Sequence, residues 1–136
     1  MKNVKSLMIG GKPIEAWDQQ WVRVAGGLSC YHPHLRGQFG LYRLSFKGRI
    51  VAIGTGTDKK GGVAKRLSDF QRTSPSGRNH YAGNLIYANR TDITVEVLVV
   101  GRDYRAREVA RQLRDRMVAL HKPAWTVPAK TVRQRG

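Results

Sequence analysis

Residues 40–71 read Gly40-Leu-Tyr-Arg-Leu-Ser-Phe46, Lys47-Gly-Arg49, Ile50-Val-Ala-Ile-Gly54, Thr55-Gly-Thr-Asp-Lys-Lys-Gly61 and Gly62-Val-Ala-Lys-Arg-Leu-Ser-Asp-Phe-Gln71. This stretch decides the fold. Gly40 to Phe46 is β-prone and alternates, with Leu41, Arg43 and Ser45 on one face and Tyr42, Leu44 and Phe46 on the other. Lys47-Gly48-Arg49 reads as a turn, and Ile50, Val51 and Ile53 as a second short strand stopping at Gly54. After a loop rich in Gly and Thr, Val63, Leu67 and Phe70 recur at helical spacing, with Lys65, Arg66 and Asp69 elsewhere on the turn. The stretch therefore predicts a hairpin, a loop and a helix carrying Arg66.

Outward from this core, Leu85-Ile86-Tyr87 and Ile93 to Val100 read as two further strands joined by the turn Asn89-Arg90-Thr91-Asp92. The length of the later strand predicts a central place in the sheet. Asp103 is a candidate cap for a helix from Tyr104 to His121, where Ala106, Val109, Ala110, Leu113, Met117 and Leu120 form one apolar stripe and Lys122-Pro123 is the stop. The expected fold class is α+β, a small antiparallel sheet with flanking helices, in the order hairpin, helix, hairpin, helix. Three segments are expected: an N-terminal extension at 1–39, a core domain at 40–126 and a basic tail at 127–136.

Charge is the outlying quantity. The chain has 136 residues, with 25 Lys+Arg against 9 Asp+Glu, a formal net charge of +16. Such a balance points to a polyanionic partner, most often nucleic acid and sometimes an anionic membrane. The single cysteine, Cys30, allows no disulfide within the chain. Neither a leader-like apolar run nor a stretch approaching a membrane span is found, so a cytoplasmic protein is expected.

In the first 39 residues, Trp17 and Trp21 stand four apart, a spacing that favours packing on the core over stacking on bases. Cys30, His32 and His34 would share a face on an extended chain and could offer zinc three ligands. Pro33 lies among them and no fourth ligand is near, so a loop is preferred. The polar segment 72–80 presents Arg72, Arg78 and His80 as candidate phosphate contacts. On the long helix, Arg107, Arg111 and Arg114 stand at i, i+4 and i+7, a ridge of one sign that an anionic partner would relieve.

Gly40-Leu41-Tyr42, Ala52-Ile53-Gly54 and Lys65-Arg66-Leu67-Ser68, in that order and at that approximate spacing, resemble the signature of the GIY-YIG nucleases. The similarity is greatest to the nuclease domain of nucleotide-excision-repair incision proteins, and it covers roughly residues 40–126. It implies that Tyr42 assists a nucleophilic water, that Arg66 stabilises charge on a scissile phosphate, and that a Glu on the late helix holds Mg2+ or Mn2+ as Lewis acid. Four positions depart from the pattern. Ala52 replaces the second Tyr, Phe70 stands where a His or Tyr is common, Arg114 occupies the Glu position and Thr126 replaces an Asn. Glu108 is the only Glu on the helix and lies six residues earlier, on the outer face by helical geometry. It is the candidate metal ligand.

Three functions follow as expectations. The first is a nucleic-acid-binding protein, with DNA as partner, whose catalytic site has decayed. The second is an active divalent-metal-dependent endonuclease that needs Glu108, or a carboxylate such as Glu96. The third is a basic structural subunit of a nucleoprotein particle.

Overall fold

Leu41 and Leu44 are fully buried on opposite faces of one strand, and the layers of the molecule follow from that. The computed structural model describes residues 8–71 and 81–125. In chain order these form β1 (Met8–Ile9), β2 (Lys12–Pro13), α1 (Ile14–Trp17), β3 (Val22–Arg23), β4 (Phe39–Phe46), β5 (Arg49–Gly56), α2 (Gly62–Asp69), α3 (Tyr81–Ala88), β6 (Ile93–Gly101) and α4 (Tyr104–His121). One sheet is the β1–β2 pair; the other is antiparallel with order β3-β6-β4-β5. The fold is α+β.

The alternation expected for β4 is present. Tyr42 and Leu44 join Leu35, Val63, Leu67, Phe70, Ile86, Val95 and Val97 in one buried cluster, under α2 and α3. Leu41 joins Ile9, Trp17, Ile53, Leu98, Val109, Leu113 and Met117 in the other, under α4. Two cores thus sandwich the sheet, each fully buried aliphatic side chain contributing about 1.5–3 kcal/mol. A bulge between Leu44 and Ser45 shifts the β4–β5 register, which is how neighbouring Val51 and Ala52 both enter the α2-side cluster.

α4 begins where Asp103 Oδ1 accepts from Ala106 N at 2.9 Å. It ends at Lys122, whose left-handed backbone (φ 47°) sends its N–H to Val118 O at 2.8 Å. Pro123 is buried, and Ala124 N and Trp125 N then donate to Ile50 O and Val51 O at 3.1 and 2.9 Å. Part of the outer edge of β5 is covered this way; Trp125 packs on Phe46 with 5.6 Å between ring centroids.

One expectation is corrected. Leu85-Ile86-Tyr87 belongs to helix α3, not to a strand, so the second hairpin does not form and β6 lies between β3 and β4. A short apolar run fits either period, and the local signal lay in the next residue: Asn89 donates from its side chain to Leu85 O at 2.9 Å and closes the helix. Within residues 8–39, β3 extends the main sheet and Ile9, Trp17, Val24, Leu28 and Leu35 are core.

Candidate nucleic-acid interface

Tyr42 and Gly54 are cross-strand partners in the β4–β5 pair. A side-chain carbon on Gly54 would overlap the Tyr42 hydroxyl and ring. Glycine here lets the phenol lie flat over β5 and carry its oxygen to the strand's outer edge. Gly56, two residues on, is bare for a similar reason: a Cβ there would meet the backbone of Val63 at 2.5 Å. That close approach seats the start of α2 against the strand. The Phe70 ring meets Tyr42 edge-on at 5.4 Å, and the Arg66 guanidinium lies 5.4 Å from the Phe70 centroid. Phe70, an apparent departure from the nuclease pattern, is the packing surface for both Tyr42 and Arg66.

Around the Tyr42 hydroxyl is a pocket of about 390 Å³, lined by the β5 edge from Ile53 to Thr57, by Asp58, by Lys65, Arg66 and Asp69 of α2, and by Arg114 of α4. Arg66 and Arg114 reach it from helices on opposite faces of the sheet. Burial pushes the Tyr42 pKa above its ordinary value; the charge of Arg66, its hydrogen bond to the phenol, and the charge of Arg114 pull the other way. The hydroxyl therefore keeps its proton at neutral pH. Arg66 can only donate, so the phenol oxygen accepts from it and leaves its own O–H available to a further acceptor.

The pocket's carboxylates are engaged. Asp69 meets Lys65 Nζ at 3.2 Å and Arg66 Nη1 at 3.9 Å. Asp58 Oδ2 accepts from Gly61 N at 2.7 Å and Lys60 N at 3.2 Å, and the Gly61 amide leads in holding its carboxyl below the ordinary range. Three cations against two carboxylates leave the lining net positive.

The structure thus brings together Tyr42, Arg66 and Arg114, but not Glu108. That residue is on the outer face of α4, 2.9 Å from Arg111, and lines a different cavity beside the Gly10-Gly11 turn, Trp17 and Tyr104. Glu96 is equally remote, paired with Arg43 at 2.8 Å. Among the described residues no group of three His, Cys, Asp or Glu could hold a metal ion, and α4 brings Arg114 rather than a carboxylate to the pocket.

The ridge on α4 is present but not bare. Arg107 Nε donates to Thr57 O at 3.0 Å, Arg111 pairs with Glu108, and Arg114 meets Asp115 at 3.2 Å. Each expected repulsion is thereby softened by a local acceptor. Cys30, His32 and His34 are not on an extended strand, and the His32 and His34 rings meet edge-on with 6.1 Å between centroids. His32 precedes a 3-10 turn, Pro33–Leu35, and is buried with Nε2 donating to Gly27 O at 2.6 Å, while Cys30 and His34 are exposed. Arg72, Arg78 and His80 lie outside the described residues, as do Thr126 and the basic tail.

Sequence reasoning missed Lys65, Asp58 and Asp69 as pocket residues. The signal available was their place beside Arg66 and behind the Gly54-Thr-Gly-Thr57 edge. No protein-family model, curated protein or solved structure matches the chain.

Proposed function

We propose that this is a nucleic-acid-binding protein, with DNA as its expected partner, built on a GIY-YIG-like plan and holding phosphate by guanidinium groups where the nucleases use a metal. One observation carries the reading: Arg114, not a carboxylate, shares the pocket with Tyr42 and Arg66, while Glu108 and Glu96 lie elsewhere in their own ion pairs. Two guanidiniums and a protonated phenol are three sets of donors facing one recess, a set suited to phosphate oxygens. The net charge of +16 supports the same class of partner.

The endonuclease reading retains one supporting observation, the presence of Asp58 and Asp69 in the pocket wall. Their engagement with backbone amides and with Lys65 and Arg66 weighs against it.

The deciding experiment incubates the protein with supercoiled plasmid, linear duplex and branched DNA, with Mg2+, Mn2+ or a chelator, beside Tyr42→Phe and Arg66→Ala. Mobility shift without cleavage, indifferent to chelator, is the expected result. Metal-dependent nicking lost in both variants would overturn the proposal in favour of the nuclease.

A further inference from the structure

β4 begins where β5 and β6 end: Phe39 pairs with Gly101 and Gly40 with Gly56. At this end of the sheet three separate stretches of chain converge. The 36–38 connection lies on loop 57–61, with Gly37 N donating to Gly61 O at 3.2 Å and Val63 N to Gln38 O at 2.9 Å. Arg102 Nη1 lies 3.3 Å from where a side chain on Gly37 would begin. Arg107 reaches the same loop through Thr57 O.

Arg36, Lys59, Lys60 and Arg102 are exposed and Arg107 half-buried. Among the described residues none of the five forms an ion pair. The two adjoining carboxylates are already committed, Asp58 to the amides of Lys60 and Gly61 and Asp103 to the cap of α4. A run of like charges along one helix is commonly a solvated face; five cations gathered from three chain segments, with two carboxylates beside them held by backbone amides, are a placed cluster. Thr57 and Asp58 also wall the Tyr42 pocket, so the cluster and the pocket form one surface.

We infer that this sheet end is the docking track for the sugar-phosphate backbone of a nucleic acid, and that it feeds one phosphate into the Tyr42 pocket. The inference rests on the nucleic-acid reading above and adds where the chain runs: over Arg36, Lys59, Lys60, Arg102 and Arg107, not chiefly along the outer ridge of α4. A lipid surface is the other polyanion to weigh. Val99 and Tyr104 are the exposed large apolar side chains among the described residues that flank Arg102, too little to insert into a bilayer, whereas the adjoining recess admits a phosphate.

The test compares two variants of equal charge change. Lys59→Gln/Lys60→Gln/Arg102→Gln removes three cations from the track. Lys47→Gln/Arg49→Gln/Lys122→Gln removes three exposed cations remote from it, two of them at the opposite, hairpin end of the same sheet. Binding of a random-sequence 30-base-pair duplex is followed by fluorescence anisotropy across a salt series, with sedimentation on phosphatidylserine vesicles in parallel and thermal melts to check folding. The track variant should lose roughly 10²-fold in affinity at about 0.1 M salt, and its log–log salt slope should flatten by about 3. The remote variant should change by less than about threefold.

Equal losses in both variants, with the wild type binding duplex, would overturn the track alone. A wild type that binds neither duplex nor single strands would overturn the nucleic-acid reading beneath it. Loss of vesicle binding with duplex binding intact would assign the surface to lipid and overturn the proposal.

Discussion

Substituting Gly54 by Ala tests the geometry on which the pocket depends. The added methyl cannot be absorbed at the far end of a flexible chain, because what it meets is the hydroxyl and ring of Tyr42, itself 6 % exposed and backed by Phe70. Either Tyr42 leaves its rotamer and opens a void beneath α2, or β5 moves from β4 along a register of seven paired residues. Overpacking of this kind costs about 1–3 kcal/mol. The upper half of that range applies here because both neighbours are themselves buried, so Tm should fall by roughly 6–12 °C for a chain of this size. Guanidinium denaturation of a double-mutant cycle isolates the cause. In a Tyr42→Val background the ring is gone, and Gly54→Ala should cost less than about 0.5 kcal/mol, a coupling of about 1.5–2.5 kcal/mol. Equal costs in the two backgrounds would refute the claim that Gly54 is bare to admit the phenol.

Three further outcomes follow from the same packing. Burial raises the folded Tyr42 pKa above the unfolded value of about 10, so its contribution to stability is complete below that pH and is lost as pH rises through the folded value. Tyr42→Phe should flatten the alkaline limb of the stability curve and remove the last-titrating part of the 295 nm phenolate signal; an unchanged titration would contradict the buried, protonated phenol. Replacing Arg66 and Arg114 together by Gln should weaken duplex binding at every sequence and reduce the salt slope by about 2, whereas a change confined to one sequence would point to base readout. Asp103→Ala should cost about 0.5–2 kcal/mol by urea denaturation, because it frees the Ala106 amide at the start of the molecule's longest described helix.

The hairpin and both helices with clear apolar stripes were legible in the sequence because period and punctuation agreed there, whereas the Tyr42–Arg66 pairing was implied by the family resemblance alone. Val63 and Leu67 follow helical spacing, Leu41 and Leu44 alternate, and Asp103 and Pro123 mark the ends of α4. Tyr81–Ala88 was not legible, because Leu85-Ile86-Tyr87 is a three-residue apolar run that carries either period. Arg114's place beside Tyr42 followed only from counting along a family pattern. Physically it depends on α4 crossing the sheet on the opposite face from α2, a tertiary fact with no local trace. The cluster at the sheet end was invisible for the same reason, since residues 36, 59, 60, 102 and 107 meet only once β4, β5 and β6 are in register.

The resemblance to a nuclease spans residues 40–126, which invites treating residues 1–39 as dispensable. The packing argues otherwise. Val24, Leu28 and Leu35 are buried in the cluster that also holds Tyr42 and Leu67, and Ile9 and Trp17 in the one beneath α4. Trp17 also satisfies the Ile9 carbonyl through its indole N–H at 2.8 Å. β3 covers Glu96 and Val97 on the outer side of β6. Around Arg43, Trp21 stacks at 4.4 Å and Asp18 accepts from His121 at 2.7 Å, tying the segment to the end of α4. Five large buried side chains at about 1.5–3 kcal/mol each amount to roughly the whole net stability of a domain this size, about 5–15 kcal/mol. A chain beginning at Gly40 should therefore lack a cooperative thermal transition and bind a hydrophobic dye, even though it holds every residue of the nuclease-like signature. Should residues 40–136 melt cooperatively with native-like circular dichroism, residues 8–39 would be an accessory layer, and the two-core account of this fold would be wrong.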